Sequence, residues 1–417
     1  MNLYWKDTAN SRVLLTSDAF LGNEIVFDVE LMTIPNITFT VPIEVLKDQE
    51  KLPDAAFEFV LEFDNGHIFH GKVMHSTYDL VNNIVTIEGD HVAEELEHQR
   101  IPTNYAVKEK TFEQIYEGDE TLQGKFNADN WTFKFVDEAK DVRFSYLFSN
   151  QDKLTALTDA CKQTEKVFWR ISLTEERTIE IGFFGQYVNE YLVNDFNMVG
   201  NSFQVEEDFR DLCNYGIYLT DKSDSGTSAL TLRDVYNKEE LINPDFPIIE
   251  TGQEINTERR YDYIDLIPFG ANNHGDYAVL DKEGVALEAG NIYEEAFTSN
   301  DVQTIANQNE ELSDEDRLIA SRQLYAQAIR KLIHCRRKIA YTFQVNDLPR
   351  GINVGDKLRL QYINEILKVT NCTNYYKKLL QIDDYFYISN IKMTVGLAGH
   401  VVFTVTVEKF IYNNSEV

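Results

Sequence analysis

The stretch from Ile339 to Tyr362 constrains this chain more than any other. Ile339, Tyr341, Phe343 and Val345 alternate with Ala340, Thr342 and Gln344. A period of two sends successive side chains to opposite faces, so the run predicts a half-buried strand. Leu358, Leu360 and Tyr362 resume the alternation. Between them lie Pro349, Gly351 and Gly355, residue types that break a ladder and turn the chain. The expectation is a strand, a turn at Val354-Gly-Asp-Lys357 and a returning strand, opening a small antiparallel barrel.

The same alternation fills the first hundred residues. Ile25, Phe27, Val29 and Leu31 form one set, and Ile37, Phe39 and Val41 a second, bracketed by Pro35 and Pro42. Proline there fits a strand's edge or ends. Phe57, Phe59, Leu61 and Phe63 alternate up to Asp64-Asn65-Gly66, and Asn-Gly is a favoured hairpin dipeptide. His67 to His75 and Ile84 to Glu88 continue as strands joined around Asn82-Asn83. Residues 1–101 are therefore expected to form one antiparallel β-domain, a barrel or sandwich.

From Pro102 the pattern changes. Phe112 to Tyr116 suggests a short helix, and Trp131, Phe133 and Phe135 a strand. Asn150 is placed to cap a helix bearing Leu154, Leu157, Cys161 and Thr164, spaced three and four apart. Strands at Val167–Leu173 and Arg177–Phe184 follow, so residues 102–200 read as a small mixed α/β domain.

Residues 201–335 read as a second mixed domain. It holds a polar loop at Asp221–Gly226, a strand within Arg260–Gly270, and turns at Asn272–Gly275 and Asp281–Gly284. Ser313-Asp-Glu-Asp316 resembles a capping box with Asp in the usual Glu position. The helix it opens carries Leu318, Tyr325, Ile329 and Leu332 on one side. It ends in Arg330, Lys331, Arg336 and Arg337, cations that suit the negative end of its dipole. Residues 336–417 form the last β-domain, with strands through Tyr385, Tyr387, Ser389 and Ile391 and through Val401, Phe403, Val405 and Val407. The fold class is α+β and β-rich: two small antiparallel β-barrel domains, first and last, with two mixed α/β domains between them.

Composition narrows the function classes. The 417 residues allow two to four domains, and 26 Phe and 22 Tyr against 8 Pro favour β structure. Cys161, Cys213, Cys335 and Cys372 are far apart, which fits a reduced protein and argues against a zinc site. The N-terminus lacks a secretion signal's basic and apolar regions, and no apolar run approaches membrane-spanning length. Net charge is −30, distributed unevenly: residues 336–417 hold 11 Lys+Arg and 7 Asp+Glu, a net of +4, leaving −34 on the rest. Such a chain does not bind DNA tightly, because it has few cations with which to displace counterions. An acidic wall repels passing DNA, and acidity also simply keeps a protein soluble.

The candidate chemistry is sparse. His67 and His70 are three apart on a strand and so face opposite ways, while His75 shares a face with His67 but lies far along it. Metal ligands on a strand sit two apart, so ordinary histidines are the better reading. Asp383-Asp384 and Glu239-Glu240 are adjacent carboxylates, but a glycosidase pair must face across a cleft. No nucleophile elbow, P-loop, zinc-protease motif or dinucleotide fingerprint is present. No catalytic, cofactor or metal residues are assigned, and the expectation is a non-enzyme.

Three stretches resemble a known family. Ile68-Phe-His-Gly-Lys-Val73 is similar to a Phe-x-Gly-x-Val strand, with Val85-Thr-Ile-Glu-Gly-Asp90 after it. Leu154 to Cys161, running on to Phe168-Trp-Arg-Ile171, is similar to a Leu-x-x-Leu helix followed by a Trp-Arg-Ile strand. Leu348 to Leu360 is similar to a Leu…Gly-Ile-x-Val-Gly-Asp-x-Val opening. In this order they resemble the baseplate hub of phage tails. The chain also resembles the N-terminal structural part of tail-associated lysins from long-tailed phages of Gram-positive bacteria, which implies the hub fold of T-even phages.

The resemblance implies a virion protein of the tail tip, assembled in the host cytoplasm. It implies a homotrimer whose first and last β-domains alternate in a six-fold-like ring. That ring caps the distal tail protein hexamer, adapts six-fold to three-fold symmetry, and holds the tape-measure protein and genome until it opens for DNA ejection. Receptor-binding or tail-fibre proteins are further implied partners. Lysin relatives continue into a peptidase or receptor-binding extension, whereas this sequence ends within about ten residues of its last expected strand, at Val417. Either wall cutting belongs to another protein or this sequence is a truncated piece of a longer one, so no lytic activity is carried over from the resemblance. Two alternatives remain: a peptidoglycan or polysaccharide hydrolase with accessory β-domains, and a monomeric carbohydrate-binding adhesin.

Overall fold

A computed structural model describes residues 1–8, 11–16, 25–46, 57–101, 105–118, and 126–208 apart from 127, 129, 165, 184, 186 and 187. It also describes 215–220, 265–266, 294–299, scattered positions between 313 and 330, and 338–363, 381–395 and 401–410. The turns expected at 221–226, 272–275 and 281–284 lie outside these residues, as do Glu239-Glu240, Lys331, Arg336 and Arg337.

The first module holds β1 (Asn2–Thr8), β2 (Ser11–Thr16), β3 (Ile25–Glu30), β4 (Asn36–Pro42), β5 (Glu58–Glu62), β6 (Ile68–Asp79) and β7 (Ile84–His91). A second module holds β8 (Tyr105–Thr111), β9 (Thr132–Phe135), β10 (Arg143–Phe148), α1 (Lys153–Lys162), β11 (Val167–Ile171) and β12 (Thr178–Phe183). The chain continues through β13 (Val188–Val193), β14 (Gln204–Asp208), β15 (Tyr215–Thr220), β16 (Asp265–Leu266) and β17 (Glu294–Ser299). It ends with β18 (Lys338–Val345), β19 (Lys357–Ile363), β20 (Gln381–Val395) and β21 (Val401–Phe410).

The β-rich α+β class holds, but the two end modules are not closed barrels. They share one open sheet of 13 strands, in the order β14-β18-β21-β20-β3-β4-β7-β6-β5-β1-β2, with β19 also on β20 and β13 on β19. The junction is β20. One edge of this 15-residue strand pairs with β21, while the other is shared between β19 along Gln381–Tyr387 and β3 along Asn390–Val395. One hydrophobic core accordingly runs from Leu3, Trp5 and Phe27 in the first module to Phe343, Ile391 and Val405 in the last.

Strand pairing corrects two further expectations. β18 and β19 do not form a hairpin: β18 pairs with β14 and β21, and β19 with β13 and β20. The Val354–Lys357 turn therefore links strands that are not neighbours. In β20 the buried side chains are Ile382, Phe386 and Ile388, then Ile391, Met393 and Val395, with a bulge between Ile388 and Asn390. That extra residue flips the phase, so Tyr385 and Tyr387 do not share the core face with Ile391.

The Asn65-Gly66 turn is a three-residue hairpin loop rather than a two-residue one. Phe63 N–H donates to the His67 carbonyl and Gly66, at φ +84°, closes the loop. Proline brackets β4 as expected, although β4 lies inside the sheet between β3 and β7.

The second module packs its own core around Phe112, Phe126, Phe148, Leu157 and Trp169. Its helix starts two residues later than Asn150 suggests: Asp152 is the cap and its carboxylate accepts from Thr155 N–H. Asn150 instead sits at φ +51° in the preceding turn. The short helix after Phe112 adopts a π turn over Gln114–Gly118. Ser313 caps the late helix as anticipated, accepting from Asp316 N–H at 3.1 Å and donating to the Asp316 carboxylate at 2.7 Å. Among the described residues no helix is long and apolar enough to cross a membrane.

Gly71 of the Phe-x-Gly-x-Val stretch and Gly89 of the Val85–Asp90 stretch have a steric cause. Gly71 lies directly across the ladder from Phe59, whose ring fills the space where a Gly71 Cβ would sit. The same ring would lie 2.8 Å from a Cβ on Gly89. Aromatic cover of two bare backbone positions packs the sheet tightly, and a methyl group there forces Phe59 aside. Gly71→Ala is expected to cost about 1–3 kcal/mol in urea unfolding, and Phe59→Leu to recover part of that loss.

Candidate functional site

The three modules meet at three seams, and buried polar and charged side chains gather there. β11 reads Val-Phe-Trp-Arg-Ile, and all five residues are buried. A guanidinium in such a strand must find anionic partners or its desolvation is uncompensated. Arg170 finds two. Its Nε donates to Glu180 on β12 at 2.7 Å, and its Nη1 donates to Asp356 at 2.5 Å and to the Val354 carbonyl at 2.7 Å. Burial works against the Arg170 charge, but the carboxylates of Asp356 and Glu180 outweigh it and raise its pKa.

The acceptor side is the Val354–Lys357 turn. The Asp356 carboxylate also accepts from Asn353 N–H at 3.0 Å and from Asn189 at 3.1 Å. Asn353 donates to the Ile171 carbonyl at 2.8 Å. Gly355, at φ +85°, lets the turn pass under Phe168, whose ring would lie 2.7 Å from any Cβ there. Gly355 N–H donates to Ile388 on β20, and Gly185 N–H to the Gly355 carbonyl. One turn thus ties β11, β13, β19 and β20 together.

A second polar cluster joins the first module to the turn between β11 and β12. Glu176 pairs with Lys6 at 2.6 Å and with Arg12. Arg177, at φ +48°, reaches both Glu58 and Glu95, and Trp131 Nε1 also donates to Glu95. His70 Nε2 contacts Glu58 at 2.8 Å, while its Nδ1 faces Glu176 at 3.5 Å. Burial alone raises the Glu58 carboxyl, but His70 and Arg177 overcome it and hold its pKa at about 2. Burial pushes His70 down and His91 well down.

The third seam joins the first and last modules beyond the β3–β20 ladder. Asn65 donates to the Leu348 carbonyl at 2.9 Å and contacts His67 Nδ1 at 2.7 Å. The buried His67 ring packs against Phe403 at 5.9 Å, and burial lowers its pKa to about 4. The late helix adds a clamp. Arg330 Nη1 donates to the Cys161 carbonyl at the end of α1 and to Val167, and Nη2 contacts Met32 of the first module.

His67, just before β6, meets Asn65 and Phe403 at the third seam, whereas His70 within β6 meets Glu58 and Glu176 at the second. His75 is exposed and contacts Thr77. Asp383 is engaged by Arg359 at 2.8 Å and by Gln361 on an exposed strand. Among the described residues no group of three or more His, Cys, Asp or Glu is arranged to hold a metal. Sequence reasoning used Trp169-Arg170-Ile171 and Gly355-Asp356 only as separate motifs and missed that they touch. The signal was a lone cation in an otherwise apolar strand.

No protein-family model matches the sequence, and no curated protein does either. Solved structures match it over nearly its whole length. Prophage tail protein gp18 from Listeria monocytogenes EGD-e aligns at TM-score 0.51 and 12% identity, over 99% of this chain and 95% of its own. The 43 kDa tail protein of prophage MuSo2 from Shewanella oneidensis aligns at 0.52 and 11%, over 98% of each chain. A tail protein from Neisseria meningitidis MC58 aligns at 0.53 and 8%, over 99% and 98%. The chain has the fold of phage tail proteins. At these identities the likeness is one of architecture.

Two outcomes test the seams. Arg170→Met leaves Asp356 and Glu180 buried without their shared cation, so a loss of about 3–5 kcal/mol is expected in denaturant unfolding. The second test is pH. Glu58 titrates near 2 when folded and near 4.5 when free, so its contribution is present above pH 4.5 and vanishes as pH falls toward 2. His67 is held neutral, with a folded pKa of about 4 against 6.5, so its contribution is present above pH 6.5 and is lost on descending to 4. Each shift corresponds to at most about 3 kcal/mol. Melting temperatures should fall stepwise from pH 7 to 3, with the drop above pH 4 reduced in His67→Asn.

Proposed function

We propose that the chain is a structural hub of a phage tail tip. Three copies form a ring in which first and last modules alternate, giving six similar β-modules around the axis. The ring caps a distal tail protein hexamer and converts its six-fold symmetry to three-fold. It holds back the tape-measure protein and genome, then opens so that DNA passes without being bound specifically. Tail-fibre or receptor-binding proteins attach beyond it, and the whole works as part of the virion.

The observation that carries this reading is the welding of the two end modules. A hub that presents two modules per copy needs their mutual angle built into the chain. The β3–β20 ladder supplies a fixed angle between them and the Asp356 turn holds the second module on the last, within a fold matched over nearly its whole length by tail proteins. Charge supports an alternating order as well. The first hundred residues hold 6 Lys+Arg and 18 Asp+Glu, a net of −12, against +4 for residues 336–417. Neighbours of opposite sign attract, whereas two first modules side by side repel.

Native mass measurement should give three copies of the 48.3 kDa chain, and negative-stain images a three-fold ring with a central opening. The trimer should dissociate more readily as salt rises, because ionic strength screens the alternating charges. A monomer at all concentrations, or a cleared zone on a peptidoglycan zymogram, would overturn the assignment. An assembly indifferent to salt would overturn only the electrostatic ordering.

A further inference from the structure

Strand pairing shows that the two end modules are built on one plan, residue by residue. β6 and β20 are long strands of 12 and 15 residues, and each is interrupted by a bulge, at Met74 and at Ser389. Before the bulge β6 pairs with β5 up to Lys72, and β20 with β19 up to Tyr387, each two residues short of it. The first pairs beyond the bulge are His75 with Glu88 and Asn390 with Thr406. Glu88 pairs in turn with Thr38, and Thr38 with Val26. Thr406 pairs with Thr342, and Thr342 with Gln204. β3, β4, β7, β6 and β5 therefore match β14, β18, β21, β20 and β19 in both order and register. The match stops at β5 and β19, whose outer neighbours differ in direction: β1 is antiparallel to β5, and β13 is parallel to β19.

One junction of this plan occurs only once in the chain. Beyond its bulge β20 pairs with β3, Asn390–Val395 against Glu30–Ile25. The counterpart of β3 is β14, and the counterpart of that half of β20 is the His75–Asp79 half of β6. Within one chain these two are not neighbours. β14 pairs with β18, and His75–Asp79 pairs among the described residues only with β7. β2 and β13 also have one ladder neighbour each among the described residues, but neither has a place in the repeat. The shared register, not openness, selects β14 and the far half of β6 for one another.

Carrying the β3–β20 register over sets Asp208 against His75, Glu206 against Thr77, Val205 against Tyr78 and Gln204 against Asp79, with Phe203 against Leu80 at the end. The residues brought together suit one another. Tyr78, Phe203 and Val205 already pack on the margin of the shared core, so the apolar row of one strand continues that of the other. Leu80, 76% exposed in the single chain, gains Phe203 beside it. No carboxylate stands opposite another, although β14 ends in Glu-Glu-Asp and β6 in Asp79, and directly opposed like charges are destabilising. A slip of one residue either way would set Val205 against Thr77 or Asp79 and lose the apolar match.

We infer that β14 of one copy adds to the His75–Asp79 half of β6 in the next, repeating between chains the junction that β3 and β20 make within one. The inference rests on the trimeric reading above and names its contact surface. The interface joins a last module to a first, as the β3–β20 junction does, so the alternation of modules continues from chain to chain. It is heterologous, and a rotation of one third of a turn per step closes it after three copies. Three junctions inside chains and three between them are then six like contacts around one ring.

Cysteine pairing tests it. In a background with Cys213, Cys335 and Cys372 replaced by Ser, two double variants are made: Thr77→Cys with Glu206→Cys, and Ser76→Cys with Glu207→Cys. Opposed residues of an antiparallel ladder have Cα atoms about 4.5 or 5.5 Å apart, alternating along the strand, so adjacent pairs sample both spacings. A disulfide needs roughly 4.4–6.8 Å. Mild oxidation should convert at least one double variant into bands of two and three chains on a denaturing gel, with none above three. The four single variants, and Val13→Cys with Glu206→Cys, should stay as one chain. A native trimer that cross-links in neither pair would overturn the edge contact and leave the trimer intact. A monomer by native mass would overturn both readings. Cross-linking by a single variant would show like edges meeting, and a disulfide closed within one chain would show the two strands adjacent in one copy. Either result, or cross-linking of the Val13 control, would overturn the repeated junction.

Discussion

The Arg170–Asp356 ion pair is the constraint on which the arrangement of modules depends. Removing a guanidinium and two carboxylates from water is costly, and apolar substitutes of similar volume often give equal or greater stability. What apolar groups do not provide is direction. Arg170 satisfies Glu180 beside it and Asp356 across the seam only when β11 meets the Val354–Lys357 turn in one register. A slip of one residue leaves a buried charge without its partner. The pair therefore specifies an angle between modules more than it adds net stability.

Rings seated on glycines act in the same sense. Phe59 covers Gly71 and Gly89, Phe168 covers Gly355, and Tyr387 occupies the space beside Gly185. In each case bare backbone admits a ring at a distance that any Cβ would forbid. Two of the four contacts lie on the seam between the second and last modules, around the turn that also holds Asp356. Close packing and the buried charge reinforce each other: the ring excludes water from the ion pair, and the ion pair holds the turn under the ring.

Much of this was legible because alternation is local. β3, β4, β6, β7, β18 and β21 follow from period-two patterns, and the Ser313 cap from a four-residue motif. Partner choice was not legible, because it depends on residues hundreds of positions apart. The run on either side of Val354–Lys357 looks like a hairpin, yet its strands take other neighbours. The bulge after Ile388 reverses which residues face the core, and nothing in Tyr-Phe-Tyr-Ile-Ser marks it. β5 hides Val60 as well as Phe59 and Leu61, because both faces of the sheet are covered there. Asp152 displaced Asn150 as cap because Asn150 is used in the left-handed turn before the helix. The seam itself left one trace, a charge inside Val-Phe-Trp-Arg-Ile.

Opening a ring of such subunits need not disturb any of these contacts. The seams inside one chain combine the β3–β20 ladder along Asn390–Val395, a shared core and buried charges, so they resist separation. In the proposed ring, parting the surfaces between chains leaves these contacts intact, so opening is expected to move whole subunits rather than to bend one. The strand with the most partners, β20, joins the two end modules inside each chain.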